Sequence, residues 1–204
     1  MRSDRSDRTI LVGITGNSGC GQTTAAGFAS AYCSGVCSLD ETGHRLLERQ
    51  YVLSDLVMRY CMPELSELRG DDLRSVLRDI VFDDPHEMEK LNSVVHPRMK
   101  RWAISSAARL RNGADNGIWV LEGALIYELG LDALLDLVIV VSDTPERCAR
   151  RISVRDGIST GEALKRWSFQ MSLAEKEAAC DIVITNQGSE DDMGRAIRSI
   201  FVRM

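Results

Sequence analysis

Aromatic side chains make up only 5% of this chain, and histidine occurs three times in 204 residues. The first scarcity argues against a surface that grips single-stranded nucleic acid by stacking bases on rings. The second, together with the lack of any Cys-x-x-C pair, leaves no sequence signature of a zinc site. Positive charge is also short, since 25 Lys and Arg against 30 Asp and Glu give a formal net charge of -5. A protein with this balance binds polyanions through a few focused cations and backbone amides, so nucleic acid is not expected as a partner. Long apolar runs are missing too. No window approaches the ~20 residues of a membrane helix, and the repeated Arg-Ser-Asp of residues 1–8 lacks the apolar core of a signal peptide. The expectation is a mobile N-terminal tail at residues 1–8 and a cytoplasmic protein whose six scattered cysteines stay reduced. No feature of the sequence fixes a subunit number.

What is present is an alternation of two periods. The β-branched run Ile10 to Thr15 reads as a buried parallel strand, and Gly35 to Leu39, Gly117 to Leu121, Leu137 to Val141 and Ile182 to Thr185 read as further short strands. Between them the apolar spacing is helical. The longest such stretch, Glu41 to Trp102, is broken at Pro63, Gly70 and Pro85. The predicted fold class is α/β, an open and largely parallel sheet covered by helices, with ligands gathered at the carboxyl ends of its strands. No repeat or linker marks a second independent domain.

The first strand runs into Gly16-Asn17-Ser18-Gly19-Cys20-Gly21-Gln22-Thr23, which fits the phosphate-loop pattern G-x-x-x-x-G-K-[ST] except that Gln22 stands at the lysine position. Glycines there let successive backbone N–H groups turn toward an anion, and the following helix presents its positive end. The Thr23 hydroxyl would bind Mg²⁺. Gln22 can donate a hydrogen bond to a phosphate oxygen but cannot neutralise it, a deficit on the order of 1–3 kcal/mol. Glu122 follows a strand, where its carboxylate suits a Mg²⁺ water or a solvated strand end. Arg147, Arg150, Arg151 and Arg155 lie on one helix and suit either a solvated face or a lid that stabilises charge on a transferred phosphoryl group. Asp40 could accept the proton of an attacking hydroxyl or cap a helix. His96, before Pro97, could contact a ligand or fix a helix start.

As an ordered set, these residues resemble the dephospho-coenzyme A kinase family from about Ile10 to Phe201. The resemblance rests on the loop, Leu39-Asp40 with Gly43-His44, Arg74, and Leu91 to Pro97. It continues through Val120-Leu121-Glu122 with Leu125 and Glu128, Arg150-Arg151 with Arg155-Asp156-Gly157, Gln170-Met171-Ser172, Glu175-Lys176, and Asp181 to Asn186. It implies a P-loop kinase three-layer fold with a central parallel sheet, an inserted helical acceptor-binding lobe at about 41–102 and a helical lid at about 147–170. The implied reaction is transfer of the ATP γ-phosphate, with Mg²⁺, to the 3′-hydroxyl of dephospho-CoA, the last step of coenzyme A biosynthesis. By position, the resemblance makes Asp40 the base and Arg151 the arginine that stabilises the phosphoryl group. ATP would be held by Asn17, Ser18, Gly19, Cys20, Gly21, Gln22, Thr23, Thr24, Arg155 and Asn186, with Asn186 near the adenine. Thr23 and Glu122 would hold the metal, and Asp40, His44, Arg74, His96, Leu125 and Glu128 would line the acceptor site. Three positions depart from the family's pattern. Gln22 replaces the lysine, Ser38 replaces the first aspartate of an Asp-x-Asp pair, and Gly123-Ala124 replaces a branched residue and proline. An active kinase, with lid arginines or Lys176 supplying the lost charge, therefore stands beside two alternatives, a non-catalytic nucleotide- or CoA-binding homologue and a nucleoside or nucleotide kinase with another acceptor.

Overall fold

Five short strands form one parallel sheet in the computed structural model, which describes residues 8–81, 84–113 and 116–204. Residues 1–7 of the expected tail lie outside these. Arg8, its expected last residue, forms an ion pair with Asp136 at 2.8 Å. The strands are β1 (Ile10–Thr15), β2 (Gly35–Ser38), β3 (Ile118–Glu122), β4 (Leu137–Ser142) and β5 (Ile182–Thr185), in the order β2-β3-β1-β4-β5. The chain leaves β1 toward β2 and β3 on one side and reaches β4 and β5 on the other. The carboxyl end of β1 is therefore the switch point where such sheets bind ligands.

The chain divides into two compact units, one of residues 1–39 with 104–204 and one of residues 40–103. In the first, α1 (Gln22–Ala29) and α9 (Glu190–Phe201) bury Ala25, Ala26, Met193, Ile197 and Phe201 against Val12, Ile14, Val120 and Ile139. On the other face of β1, Gly13 leaves room for Leu135 and Ile126. A second cluster joins α6 (Pro145–Asp156) to α7 (Thr160–Trp167) through Ala149, Ile152 and Ala163, while α8 (Leu173–Ala179) packs on β4. The helix limits follow from local chemistry. Thr144 caps α6, Pro145 occupies its first turn and Gly157 ends it in the left-handed conformation, whereas Ser172 and Ser189 form capping boxes with Glu175 and Asp192.

The second unit contains α2 (Leu39–Leu47, from Asp40 on), α3 (Gln50–Tyr60), a 3₁₀ turn at Pro63–Ser66, α4 (Gly70–Val81) and the first part of α5 (Pro85–Asn112). Its core is Val52, Leu53, Leu56, Leu65, Leu73, Leu77 and Val94. One expectation fails here. Pro97 does not mark a helix start but lies inside α5, which runs for 28 residues. Proline removes one intrahelical donor, and here the stretch also carries the buried contacts of Val94, Val95 and Met99, which favour continuing the helix.

Candidate active site

The segment from Gly16 to Gly21 turns β1 into α1 at the switch point. Gly19 and Gly21 are left-handed, with φ of 78° and 105°. A Cβ would stand 2.5 Å from the Cys148 carbonyl oxygen at Gly19, and 2.5 Å from Asn186 Nδ2 at Gly21. Only glycine fits either place without movement. No side chain caps the N-terminus of α1, so its first N–H groups are left for an anion. Gln22 is buried, and its carboxamide has no hydrogen bond to another described residue.

The loop is held from outside by residues far along the chain. Arg151 Nη1 donates to Gly19 O at 2.9 Å, and Asn186 Nδ2 donates to Cys20 O at 2.8 Å. In a trans peptide the C=O and the next N–H point in opposite directions, so pulling the Cys20 carbonyl outward turns the Gly21 N–H the other way. Trp167 Nε1 donates to Ser18 O at 2.7 Å, and Gln170 Oε1 accepts from Ser18 N at 3.0 Å. Asn17 Nδ2 donates to Met171 O at 3.2 Å. The buried thiols of Cys20 and Cys148 lie 3.1 Å apart, docking the loop on α6.

Arg151 is itself held. Its Nη2 donates to Asp143 Oδ2 at 2.5 Å, and Arg147 Nε reaches the same oxygen at 3.0 Å. Asp143 Oδ1 accepts from Thr144 N at 2.8 Å. Burial by itself would push the Asp143 pKa up, but the hydrogen bonds from Arg147 and Thr144 and the charge and bond of Arg151 outweigh it and hold the carboxyl below its ordinary value. With the folded pKa depressed, the stabilisation from this group is present above the unfolded value and is lost as pH falls through the folded one.

Glu122 is the last residue of β3, not the residue after it, and is paired in register with Ile14 and Ser38. Its Oε1 accepts from Thr23 Oγ1 at 2.8 Å. This hydroxyl and a carboxylate that is 3% exposed form a hard-oxygen pair suited to Mg²⁺, which uses one or two carboxylates and fills its remaining positions with water and phosphate. Gly123 has a steric reason. A Cβ there would meet Leu39 Cβ at 2.7 Å, so any larger residue would need Leu39 to move.

Lys176, a possible substitute for the loop lysine, is fully buried, with Nζ 2.6 Å from Ala124 O and 2.9 Å from Glu128 Oε1. The same Glu128 oxygen accepts from Met171 N. The ammonium is committed to fixing the chain after β3. Lys176→Met is expected to cost about 2–3 kcal/mol and lower Tm by roughly 5–10 °C, because it takes the Nζ donor from Ala124 O and the counter-charge from Glu128. A calorimetric scan showing a drop of under 2 °C would refute this.

The other expected residues sort between the units. Leu125 is half-buried in the first, where Thr24 is exposed and Arg155 pairs with Asp156 at 2.6 Å. Asp40 and the exposed His44 lie one turn apart on α2, Arg74 on α4 pairs with Asp71, and the half-buried His96 lies on α5. Asn186, expected near the adenine, donates from Nδ2 to the loop carbonyl of Cys20. Sequence reasoning missed Asp143 and Trp167, and it did not connect Gln170 with the loop. The signal for Asp143 was available, since it is an acidic residue just past a strand, the feature that singles out Glu122 in the sequence.

A model of the dephospho-CoA kinase family matches residues 10–192. Dephospho-CoA kinase from Thermus thermophilus is 30% identical over 195 residues, covering 96% of this chain and 92% of the relative. A crystal structure of a Thermus thermophilus protein, also 30% identical, superposes with a TM-score of 0.72 over 97% of this chain and 98% of the other. Dephospho-CoA kinase from Campylobacter jejuni, 21% identical, shares the fold with a TM-score of 0.60 over 96% of this chain and 97% of its own.

Proposed function

Because the chain belongs to the dephospho-CoA kinase family, we propose that it moves the γ-phosphate of ATP to the 3′-hydroxyl of dephospho-CoA on a phosphate loop braced from outside. The observation that carries the reading is the contact of Thr23 Oγ1 with Glu122 Oε1. It joins the first turn of α1 to the end of β3 as a P-loop kinase needs for its metal.

The residues then take the following parts. Backbone N–H groups of residues 19–24 bind the phosphates of ATP, and Gln22 donates a neutral hydrogen bond where the family has a charge. Thr23 and Glu122 would hold Mg²⁺, which when bound neutralises charge on the β- and γ-phosphates. Arg151 offers the donors left over from its three bonds to the transferred phosphoryl group. Asp40 accepts the proton of the acceptor hydroxyl. The unit of residues 40–103 is taken as the acceptor lobe, with His44, Arg74 and His96 as its contacts, and α6 with α7 as the lid that carries Arg155. Leu125 and Glu128, in the first unit, are taken as further acceptor contacts. Glu128 retains Oε2, buried and without a partner among the described residues, for an acceptor donor group. No helix among the described residues is long and apolar enough to cross a membrane. The unbridged cysteines of the described residues fit a reducing cytoplasm.

Purified protein supplied with ATP, Mg²⁺ and dephospho-CoA is expected to release ADP and CoA in equal amounts. ATP binding without ADP formation would instead mark a non-catalytic homologue, which the family membership does not favour. Gln22→Lys is expected to raise kcat/KM for ATP about tenfold by converting a neutral bond to a charge-assisted one. An unchanged or lower value would remove this account of the loop.

A further inference from the structure

The geometry points to Asp143 as the residue that positions Arg151 and, through it, the phosphate loop, a role that rests on the kinase reading above for its effect on rate. Asp143 follows β4, and its carboxylate is fully buried. It cannot itself reach solvent-borne substrate, and its oxygens are spent on Thr144 N, Arg147 Nε and Arg151 Nη2. What it does is fix one guanidinium. Arg151 spans Asp143, the Gly19 carbonyl and the Asn186 carbonyl at 2.5, 2.9 and 3.3 Å, so three of its five donors set its plane. The two contacts beyond Asp143 are to backbone oxygens of the loop and of the segment after β5. Asn186 in turn draws out the Cys20 carbonyl through its side chain. Asp143, Arg151 and Asn186 thus grip two consecutive carbonyls of the loop from behind. The peptide dipoles that would face a phosphate depend on that grip.

An arginine fixed in this way brings its remaining donors to the transferred group already oriented, and preorganised charge acts most strongly where water is excluded. The site needs this more than most, since residue 22 contributes no charge of its own. Removing the Asp143 charge leaves Arg151 in contact with neutral oxygens only, free to swing to solvent.

The test is a double-mutant cycle with Asp143→Asn and Arg151→Ala, read in kcat and, by calorimetry, in the Kd of ATP. With Arg151 present, Asp143→Asn is expected to lower kcat about tenfold to thirtyfold and raise the Kd of ATP about fivefold, leaving KM for dephospho-CoA within twofold. With Arg151 replaced by alanine, the same change is expected to alter both by less than twofold. An equal loss in the two backgrounds would overturn the positioning role and reduce Asp143 to a general support of α6. Should Asp143→Asn fail to fold, Asp143→Glu keeps the charge but displaces it by one methylene, and is read in the same way. A protein that binds ATP without turning it over would sink the assigned reaction, while the cycle in Kd would still decide the role of Asp143.

Discussion

Arg151→Ala is expected to lower kcat roughly 10³-fold, the scale on which an arginine beside a transferred phosphoryl group acts. The argument starts from charge. As the γ-phosphate leaves ADP, negative charge spreads over its oxygens and the bridging oxygen, and a site with Gln22 at the loop's charged position needs a cation from elsewhere. Lys176 is buried on Ala124 O and Glu128, and Arg155 is engaged by Asp156. Arg151 touches the loop directly, at Gly19 O. Arg151→Lys is expected to recover little of the loss, because an ammonium cannot span Asp143, Gly19 O and Asn186 O as a planar guanidinium does. ADP release under saturating substrates measures the effect, and a loss below tenfold would show that another cation does this work.

Asp40→Asn comes second, with kcat expected to fall roughly 10²- to 10⁴-fold and the Kd of ATP to stay within threefold. The substitution preserves shape and removes the capacity to accept a proton. The competing role, capping a helix, is weakened by position. α2 begins at Leu39, which makes Asp40 a residue of its first turn and not the cap before it. There a carboxylate contributes about 0.3–1 kcal/mol through the helix dipole, a few degrees of Tm at most. Rate and stability therefore separate the two roles. A stable variant with wild-type kcat would remove Asp40 as the base, whereas a large loss of rate at nearly unchanged Tm would support it.

The parts of this molecule that depend on neighbours in sequence were legible, and those that depend on distant partners were not. β1, β4 and β5 show in the sequence as β-branched runs whose ends differ by no more than a residue from the observed ones. The phosphate loop shows because its glycines are dictated by its own backbone. Pro97 misled for a local reason, since proline usually interrupts a helix but α5 buries side chains on both sides of it. The bonds of the outer brace could not be read. Arg151 and Gly19 are 132 positions apart, and Asn186 and Cys20 are 166 apart. No periodicity reports a bond of that span, and a buried aspartate after a strand looks the same in sequence whether it caps a helix or orients an arginine. Lys176 carried a similar ambiguity, because a charged residue on a short helix reads as solvated until its burial is seen.

Among the described residues, none of the side-chain bonds that draw the loop's carbonyls outward passes through the side chain of residue 22. Form and electrostatics are thus assigned to different amino acids in this nucleotide cradle. A single exchange at that position can make the cradle more or less cationic while its curvature stays as it is. Catalytic power becomes adjustable without any need to rebuild the scaffold.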